Sequence, residues 1–503
     1  MTTMPAWLTC VGCGARVADD DVTTFSCPST APEVEHLLVR ELDTALVPFC
    51  FEHPIAPDDN PFVRYRQRLL SYHRARAAGM TDADFVNLVE ELDEAIFAVD
   101  ARRFRVTPFG RHEGLARALG FADGGALWLK NETGNVSGSH KARHLMGIML
   151  HLRWPGRLSL AHASQLSGQL AIASCGNAAL AAAVVAAAAK QPLSVFIPPD
   201  ADPLVKARLE ALGASTYSCE RRAGEVGDPC YLRFLEATQV AEGAIAFSCQ
   251  GPDNGLTIEG GQCLAYEMVE QLDGAGLDDV VVQVGGAALA SAMARSLLEL
   301  GRSGALSRRP RLHCVQTASA FPLVRAYERL ARRIEARLDG REPEQLEPQR
   351  ESPQRQQAMA QSAALPARAA LAGRISESFW SAVVQRELAE AALHRAQFMW
   401  PWENAPHSVA HGILDDETYD WYGVLKVMLE TGGIPVVADE ASLVEAQRVA
   451  RSVTSVPVCA TGASGLAGLS LLRASGVVPA QAQAAVIFTG VDRQVEAAMR
   501  AGA

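Results

Sequence analysis

The sequence predicts an α/β protein in which parallel sheets are covered by helices. Three observations carry that expectation. From about residue 125, short apolar runs rich in β-branched residues recur: "ALWLK", "QLAIAS", "LSVFIP", "DVVVQVG", "RLHCVQT", "IPVVAD" and "AAVIFTG". Each is followed by Gly, Pro or Ser, and alanine- and leucine-rich helical stretches lie between them, the pattern of strands buried on both faces. A chain of 503 residues with 49% hydrophobic and 20% charged residues has apolar material for two units, whose junction leaves a cleft suited to a ligand.

In chain order, residues 1–60 form a small Cys-containing segment. The opening "MTTMPAWLTC" lacks the basic and apolar regions of a secretory signal, so most of the eleven cysteines are expected as reduced thiols in the cytoplasm. Cys10-x-x-Cys13 with Cys27 looks like a degenerate zinc ribbon, with Cys50 or His53 as a fourth ligand; the plainer reading is a cysteine-containing turn packed on the body. Residues 61–100 show helical periodicity, as in "FVNLVEELDEAIFAV". Residues 61–145 and 251–503 are expected to form a larger unit, and 146–250 a smaller, mobile α/β unit. The stretch 341–367, rich in Gln, Glu, Arg and Pro, reads as an exposed or disordered insertion. A net charge of −11 disfavours a nucleic-acid binder. The longest alanine-rich run, "AALAAAVVAAAAK", is too short to cross a membrane and suits a tightly packed helix.

Four glycine- or serine-bearing turns each follow an apolar strand or open a helix. They are "SGSHKAR" at 137–143, "SCGN" at 174–177, "VGGAAL" at 284–289 and "CATGASG" at 459–465. Backbone N–H groups at such a turn, aided by the helix dipole, cradle an anion. "VGGAAL" has that form but lacks both G-x-G-x-x-G and the Gly-Lys-Ser/Thr ending of nucleotide loops.

Taken together and in this order, the four turns resemble the fold-type II pyridoxal-phosphate enzymes, the superfamily of tryptophan synthase β-subunit and threonine dehydratase. The layout is most similar to its threonine synthase-like branch. The resemblance covers most of residues 105–495 and implies a two-domain fold. In that family a Ser-x-Lys carries the cofactor as a Schiff base, matched by Ser139, His140 and Lys141. The family's Ser-x-Gly-Asn loop matches Ser174, Cys175, Gly176 and Asn177, with Asn177 facing the cofactor's phenolic oxygen and the other three at the substrate. The phosphate loop matches Gly285, Gly286, Ala287, Ala288 and Leu289. Thr461 matches the hydroxyl that meets the pyridine nitrogen. "TPFG" (107–110), "NPFVRYRQRL" (60–69), "LTIEGGQCLAYEMVEQL" (256–272) and the opening C-x-x-C-G match further stretches, and "HSVAHGI" (407–413) resembles a family strand.

The resemblance implies a lyase or synthase acting on a small amino acid by β- or γ-elimination or replacement. Lys141 would form the Schiff base and shuttle protons, as a positioned amine does. Serine/threonine or diaminopropionate ammonia-lyase and β-replacement chemistry belong to the same fold, as does a non-catalytic relative that binds pyridoxal phosphate. A homodimer is implied by the resemblance alone. The run Gly138 to His144 departs from the usual Gly-Ser-Phe-Lys-Asp-Arg-Gly: Phe, Asp and the closing Gly are replaced by His140, Ala142 and His144. His140 is either a packing residue or a phosphate contact. Arg143 and His144 either lie on a solvated helix face or help bind an anionic substrate.

Overall fold

The computed structural model describes residues 4–501 except 30, 32, 52, 161, 162, 241, 242 and 307. Its strands, in chain order, are β1 (Ala6–Cys10), β2 (Leu38–Leu42), β3 (Phe109–Arg111), β4 (Ala126–Asn131), β5 (Leu170–Ala173), β6 (Leu193–Ile197), β7 (Ser215–Ser218), β8 (Ile245–Ala246), β9 (Asp279–Gln283), β10 (Arg311–Thr317), β11 (Pro435–Ala438) and β12 (Gln483–Phe488). They form three sheets among the described residues.

The six-stranded sheet runs β11-β10-β9-β12-β4-β3, parallel except for the edge strand β3, which is antiparallel to β4. The four-stranded sheet runs β7-β6-β5-β8 and is parallel throughout. β1 and β2 pair antiparallel as a separate ribbon. Every residue of β9 is buried, and only Gln483 of β12 is partly exposed, because helices cover both faces of the sheet. That burial explains why these runs read as continuously apolar rather than alternating.

Two large apolar cores follow from the two parallel sheets. One packs the six-stranded sheet with helices such as Ala288–Arg302, Pro322–Leu338 and Ala460–Ala474. The other packs the four-stranded sheet with helices Lys141–Arg157, Asn177–Ala188 and Leu256–Gln271, and with the N-terminal ribbon. The helix Asp82–Asp100 sends Phe85, Leu88, Val89 and Ile96 into this second core. Residues 61–100 therefore pack on helices of both expected units: Tyr65 packs near Tyr266 and its hydroxyl donates to Glu270 in the helix Leu256–Gln271, while Phe85 and Ile96 join the core around the four-stranded sheet. Their amphipathic stripe fits the face of helix Lys141–Arg157, which is buried nearly all round.

The alanine-rich run forms the helix Asn177–Ala188 and is buried in that core. No helix among the described residues is long and apolar enough to cross a membrane. Two helices meet closely through glycine: a Cβ on Gly260 would lie 2.2 Å from the carbonyl oxygen of Arg143. This contact explains the "EGG" in the second helix, since any side chain there would force the helices apart.

The stretch 341–367 is more ordered than its composition suggests. Pro353–Ala360 is helical, capped by the Ser352 side chain. Met359 is 2% exposed and packs with Phe321, Val324 and Val437. Arg329 holds the backbone there, donating to the carbonyls of Glu347 and Arg350. The "HSVAHGI" stretch also differs from expectation: it contains no strand, and His411–Ile413 is a 3-10 turn. The Gly412 amide donates to a side chain, Thr461, instead of to a neighbouring strand.

Candidate active site

Three of the four turns follow the carboxyl ends of the parallel strands β4, β5 and β9, where α/β sheets place ligands, and the fourth, at 459–465, opens the helix Ala460–Ala474. After β4, the chain turns through Ser137 (φ 57°) and Gly138 (φ 72°), both left-handed, before the helix that begins at Lys141. Ser137 pays the steric cost of that conformation, and its N–H donates to Asp100 at 2.8 Å. The turn is sewn to the end of β12. His140 N donates to the Thr489 carbonyl at 3.1 Å, Val491 N donates to the Gly138 carbonyl at 2.9 Å, and Ser139 bridges to Gly490.

Lys141 is half-buried, and its amine has no hydrogen-bond or ion-pair partner among the described residues. Around it lie neutral or acidic groups. Burial, helped by the nearby Lys141 charge, drives the His140 imidazole well below its usual range. His140 Nδ1 faces the Thr489 carbonyl at 3.2 Å, so that nitrogen carries the proton. His144 is buried too and is held down to about 3 by burial and by Lys141. Its Nδ1 meets the Thr257 carbonyl at 2.7 Å, and its ring packs on Gly261.

After β5, Ser174 to Gly176 form a half-buried turn, with the Gly176 amide 3.4 Å from the Ser174 hydroxyl. Asn177 opens the following helix. Its side-chain oxygen accepts from Arg493 Nε at 3.1 Å and from a second N–H of the same guanidinium, leaving the amide NH2 as a donor. Arg493 also donates to the Ser137 carbonyl at 2.8 Å, so one guanidinium joins the Asn177 and Lys141 turns.

Gly490 is the point where three of the turns meet. It bridges to Ser139, its carbonyl accepts from Cys459 N at 3.1 Å, and a Cβ on it would lie 2.7 Å from the Asn177 amide nitrogen. Cys459 caps the helix that carries Thr461. At the end of β9, the Gln283 side chain donates to the carbonyl of Gly462 at 2.9 Å and the hydroxyl of Thr489 at 2.8 Å, tying this helix to the end of β12.

Beyond Gln283 the glycine-rich turn leads into the helix Ala288–Arg302. Ala287 takes the left-handed conformation, φ 78°, at the N-cap. The amides of Ala287, Ala288 and Leu289 find no acceptor among the described residues, although these residues are 6%, 2% and 4% exposed. The Gly286 amide donates to Asp415 Oδ2 at 2.8 Å. Burial raises the Asp415 carboxyl above its usual range against the opposing pull of Lys141. The segment 412–415 also reaches Thr461: the Gly412 amide donates to Thr461 Oγ1 at 3.0 Å.

The four turns thus converge, but Arg143 does not join them. Its guanidinium is 0% exposed and its donors go to Glu132, Glu267 and Thr107. Lys130 adds a 2.6 Å pair with Glu267. Arg143 is therefore committed to a buried charge network and is neither on a solvated face nor free to meet a substrate anion, which corrects both sequence readings of this residue; His144, also 0% exposed, is not on a solvated face either. Asp415, Gln283, Gly490 and Arg493 carry no motif that sequence reasoning isolates. Arg493 and Asn177, for example, are 316 residues apart.

Residues 102–399 match the family described as "Pyridoxal-phosphate dependent enzyme". The curated threonine synthase of Methanocaldococcus jannaschii is 26% identical over 230 residues, 45% of this chain and 51% of that protein. The chain thus matches about half the length of that relative. Three solved structures share the fold at low identity. Diaminopropionate ammonia lyase from Escherichia coli has a TM-score of 0.53 at 14% identity, over 82% of this chain and 90% of that one. A fungal L-serine ammonia-lyase from Rhizomucor miehei gives 0.51 at 13%, over 77% and 94%. The processed form of threonine deaminase isoform 2 from Solanum lycopersicum gives 0.50 at 14%, over 84% and 90%. With its two parallel sheets, and with the family match spanning more than half its length, this chain belongs to the pyridoxal-phosphate-dependent enzyme family.

Proposed function

We propose that the chain is a pyridoxal-phosphate-dependent lyase or synthase of the threonine synthase-like branch, acting on a small amino acid by elimination or replacement at the β or γ carbon. The observation that carries this reading is Lys141: an amine with no partner, at the head of a buried helix, beside three converging turns of complementary chemistry.

The donor set fits the cofactor. Buried amides of Ala287, Ala288 and Leu289 without acceptors suit a phosphate at a helix N-terminus. Thr461 Oγ1 already accepts the Gly412 amide, so its own proton is the one to donate to an unprotonated ring nitrogen. The Asn177 oxygen is occupied by Arg493, so its NH2 suits a phenolic oxygen. Ser139 and His140 line the turn before the lysine, and the His140 Nε2 lone pair accepts rather than donates.

When bound, pyridoxal phosphate supplies a carbonyl for the Lys141 amine and an electron-withdrawing ring for charge developing at the substrate α-carbon. The remaining work belongs to the chain. Lys141 Nζ holds and returns the α-proton, since its neighbours His140 and His144 are kept neutral by burial. The Ser174–Gly176 turn, at a helix N-terminus, suits the substrate carboxylate. A neutral hydroxyl at the ring nitrogen, rather than a carboxylate, favours elimination and replacement over transamination. The smaller α/β unit, expected over residues 146–250, would close over the site to exclude water, and a dimer is expected from the family.

Borohydride reduction of the purified, cofactor-loaded chain followed by peptide mass analysis tests the site. The expected result is one pyridoxyl group on Lys141 and none in Lys141→Ala. Label on another lysine, or none, overturns the reading. Release of 2-oxo acid or of inorganic phosphate from a panel of amino acids and their O-phospho forms separates ammonia-lyase from phosphate-eliminating and β-replacement chemistry.

A further inference from the structure

Away from this site, Cys10, Cys13, Cys27 and His36 bring their ligand atoms within 4.8 Å of one another. The Cys13 and Cys27 sulfurs are 3.6 Å apart, and Cys10 Sγ lies 3.7 Å from His36 Nδ1. A tetrahedral zinc ion, with bonds of about 2.3 Å to sulfur and about 2.0 Å to nitrogen, sets ligand atoms about 3.5–3.8 Å apart. These two pairs match that spacing. Cys50 and His53, the fourth ligands suggested by chain spacing, stand outside the cluster; His36 takes the place.

The surroundings are built for a ligand. His36 Nε2 lies 3.0 Å from the Ala31 carbonyl, an acceptor only, so Nε2 carries the proton and Nδ1 presents its lone pair toward the sulfurs. The Cys10–Cys13 knuckle is tight. Cys10 N donates to the Ala15 carbonyl at 2.8 Å and Gly14 N to the Cys10 carbonyl at 3.0 Å. Gly14 adopts φ +73°, and a Cβ on Gly12 would fall 1.8 Å from the Glu35 carbonyl oxygen. The knuckle therefore closes directly onto the strap that carries His36. The next residue back, Glu35, is 1% exposed and accepts from Trp421 Nε1 at 2.7 Å and Arg395 Nε at 3.1 Å.

We propose that Cys10, Cys13, Cys27 and His36 bind one zinc ion as a closed, four-coordinate structural site. The ion joins the start of the chain to the strap at 35–38, and through Glu35 to Trp421 at the edge of the Asp415 segment. Binding releases thiol protons to solvent as the three sulfurs coordinate as thiolates, with no change of oxidation state.

Metal analysis of the full chain, purified without chelator under reducing conditions, is expected to give about one zinc per chain, as a closed four-ligand site holds one ion. Replacement by cobalt(II) is expected to produce the strong visible bands of a tetrahedral thiolate site, bleached by one equivalent of zinc. His36→Ala and Cys13→Ser should lose the metal, while Cys50→Ser keeps it. Should the variants fail to fold, the cobalt spectrum of the unaltered chain still decides. Cobalt bands of octahedral type, no metal after reconstitution with zinc, or loss of metal in Cys50→Ser to the same degree as in His36→Ala would each overturn the assignment. So would a Cys13–Cys27 disulfide that persists in reductant.

Discussion

Gly286 N donates to Asp415 Oδ2 at 2.8 Å, which sets a carboxylate against the glycine-rich turn where a phosphate is expected. A Cβ on the neighbouring Gly285 would lie 2.0 Å from the same oxygen. Like charges at this range oppose one another strongly when buried. Asp415→Asn is therefore expected to tighten pyridoxal-phosphate binding about tenfold, equivalent to about 1.4 kcal/mol. Burial raises the Asp415 carboxyl, so it protonates at a higher pH than an ordinary carboxylate. Affinity of the unaltered chain should consequently rise on mild acidification more than that of the Asn variant. Fluorescence titration with the cofactor measures both; weaker binding by Asp415→Asn would mean that the carboxylate serves the ligand.

Thr461 is expected to act through its hydroxyl. Thr461→Val keeps the shape but removes both the acceptor for Gly412 N and the donor for a ring nitrogen. Activity should fall about 10- to 100-fold, with the visible absorbance of the bound cofactor shifted, which matches loss of one or two hydrogen bonds of about 1.4 kcal/mol each. Thr461→Ser should stay near the unaltered rate. Steady-state kinetics on whichever substrate the panel identifies, with absorbance spectra, compares the two.

The charge network under Lys141 makes a stability prediction. Arg143→Met leaves the buried Glu132 without its ion-pair partner, while Lys130 still pairs with Glu267, and should cost about 3–5 kcal/mol. Burial pushes the Glu132 carboxyl up, but Arg143 and Lys130 outweigh it and hold it down at about 2. Because the folded value lies below the unfolded one, Glu132 contributes stability at neutral pH, and that contribution is lost as pH falls from about 4.5 toward 2. Denaturant melts from pH 7 downward should show this loss, and Glu132→Gln should flatten it.

Gly138 sets the approach to Lys141. Alanine there must adopt φ 72° and place its Cβ 2.6 Å from a Val491 methyl. Gly138→Ala should destabilise by about 1–2 kcal/mol from the left-handed backbone alone. It should lower the rate further by shifting the turn sewn to Thr489 and Gly490, whereas Gly134→Ala, in the same turn region with open space around it, should not lower the rate. Thermal melts alongside kcat separate the two effects.

Removing the metal should loosen a distant segment. Stripping zinc with a chelator is expected to speed amide exchange in the strap at 35–38 and also at 415–421, which the strap holds through the Glu35–Trp421 bond. The core strand β9 should keep its protection. Hydrogen-exchange mass spectrometry on the full chain reads all three.

Much of the fold was legible because parallel strands buried on both faces leave continuous apolar runs, and β4, β5, β6, β9, β10, β11 and β12 fall on those expected. Misreadings came where local signals compete. Residues 341–367 look polar enough for disorder, yet the helix at 353–360 is anchored by buried Met359 and the segment before it by Arg329 from elsewhere in the chain. Residues 407–413 look like a strand, but Gly412 N finds a side-chain acceptor, Thr461, before it finds a neighbouring strand.

By itself the sequence determined the family, the order of the four turns and Lys141 as the distinctive amine, because those depend on residue types at short spacings. Tertiary structure alone decided which partners those residues have. Arg143 turns inward to two buried glutamates, Asn177 is oriented by Arg493, Asp415 occupies the Gly286 amide, and His36 rather than Cys50 completes the cysteine cluster. Each of these is a contact between groups made neighbours only when separate elements pack. A hydrogen bond or a ligand distance depends on where the packed backbone brings two atoms, and spacing along the chain carries no record of it.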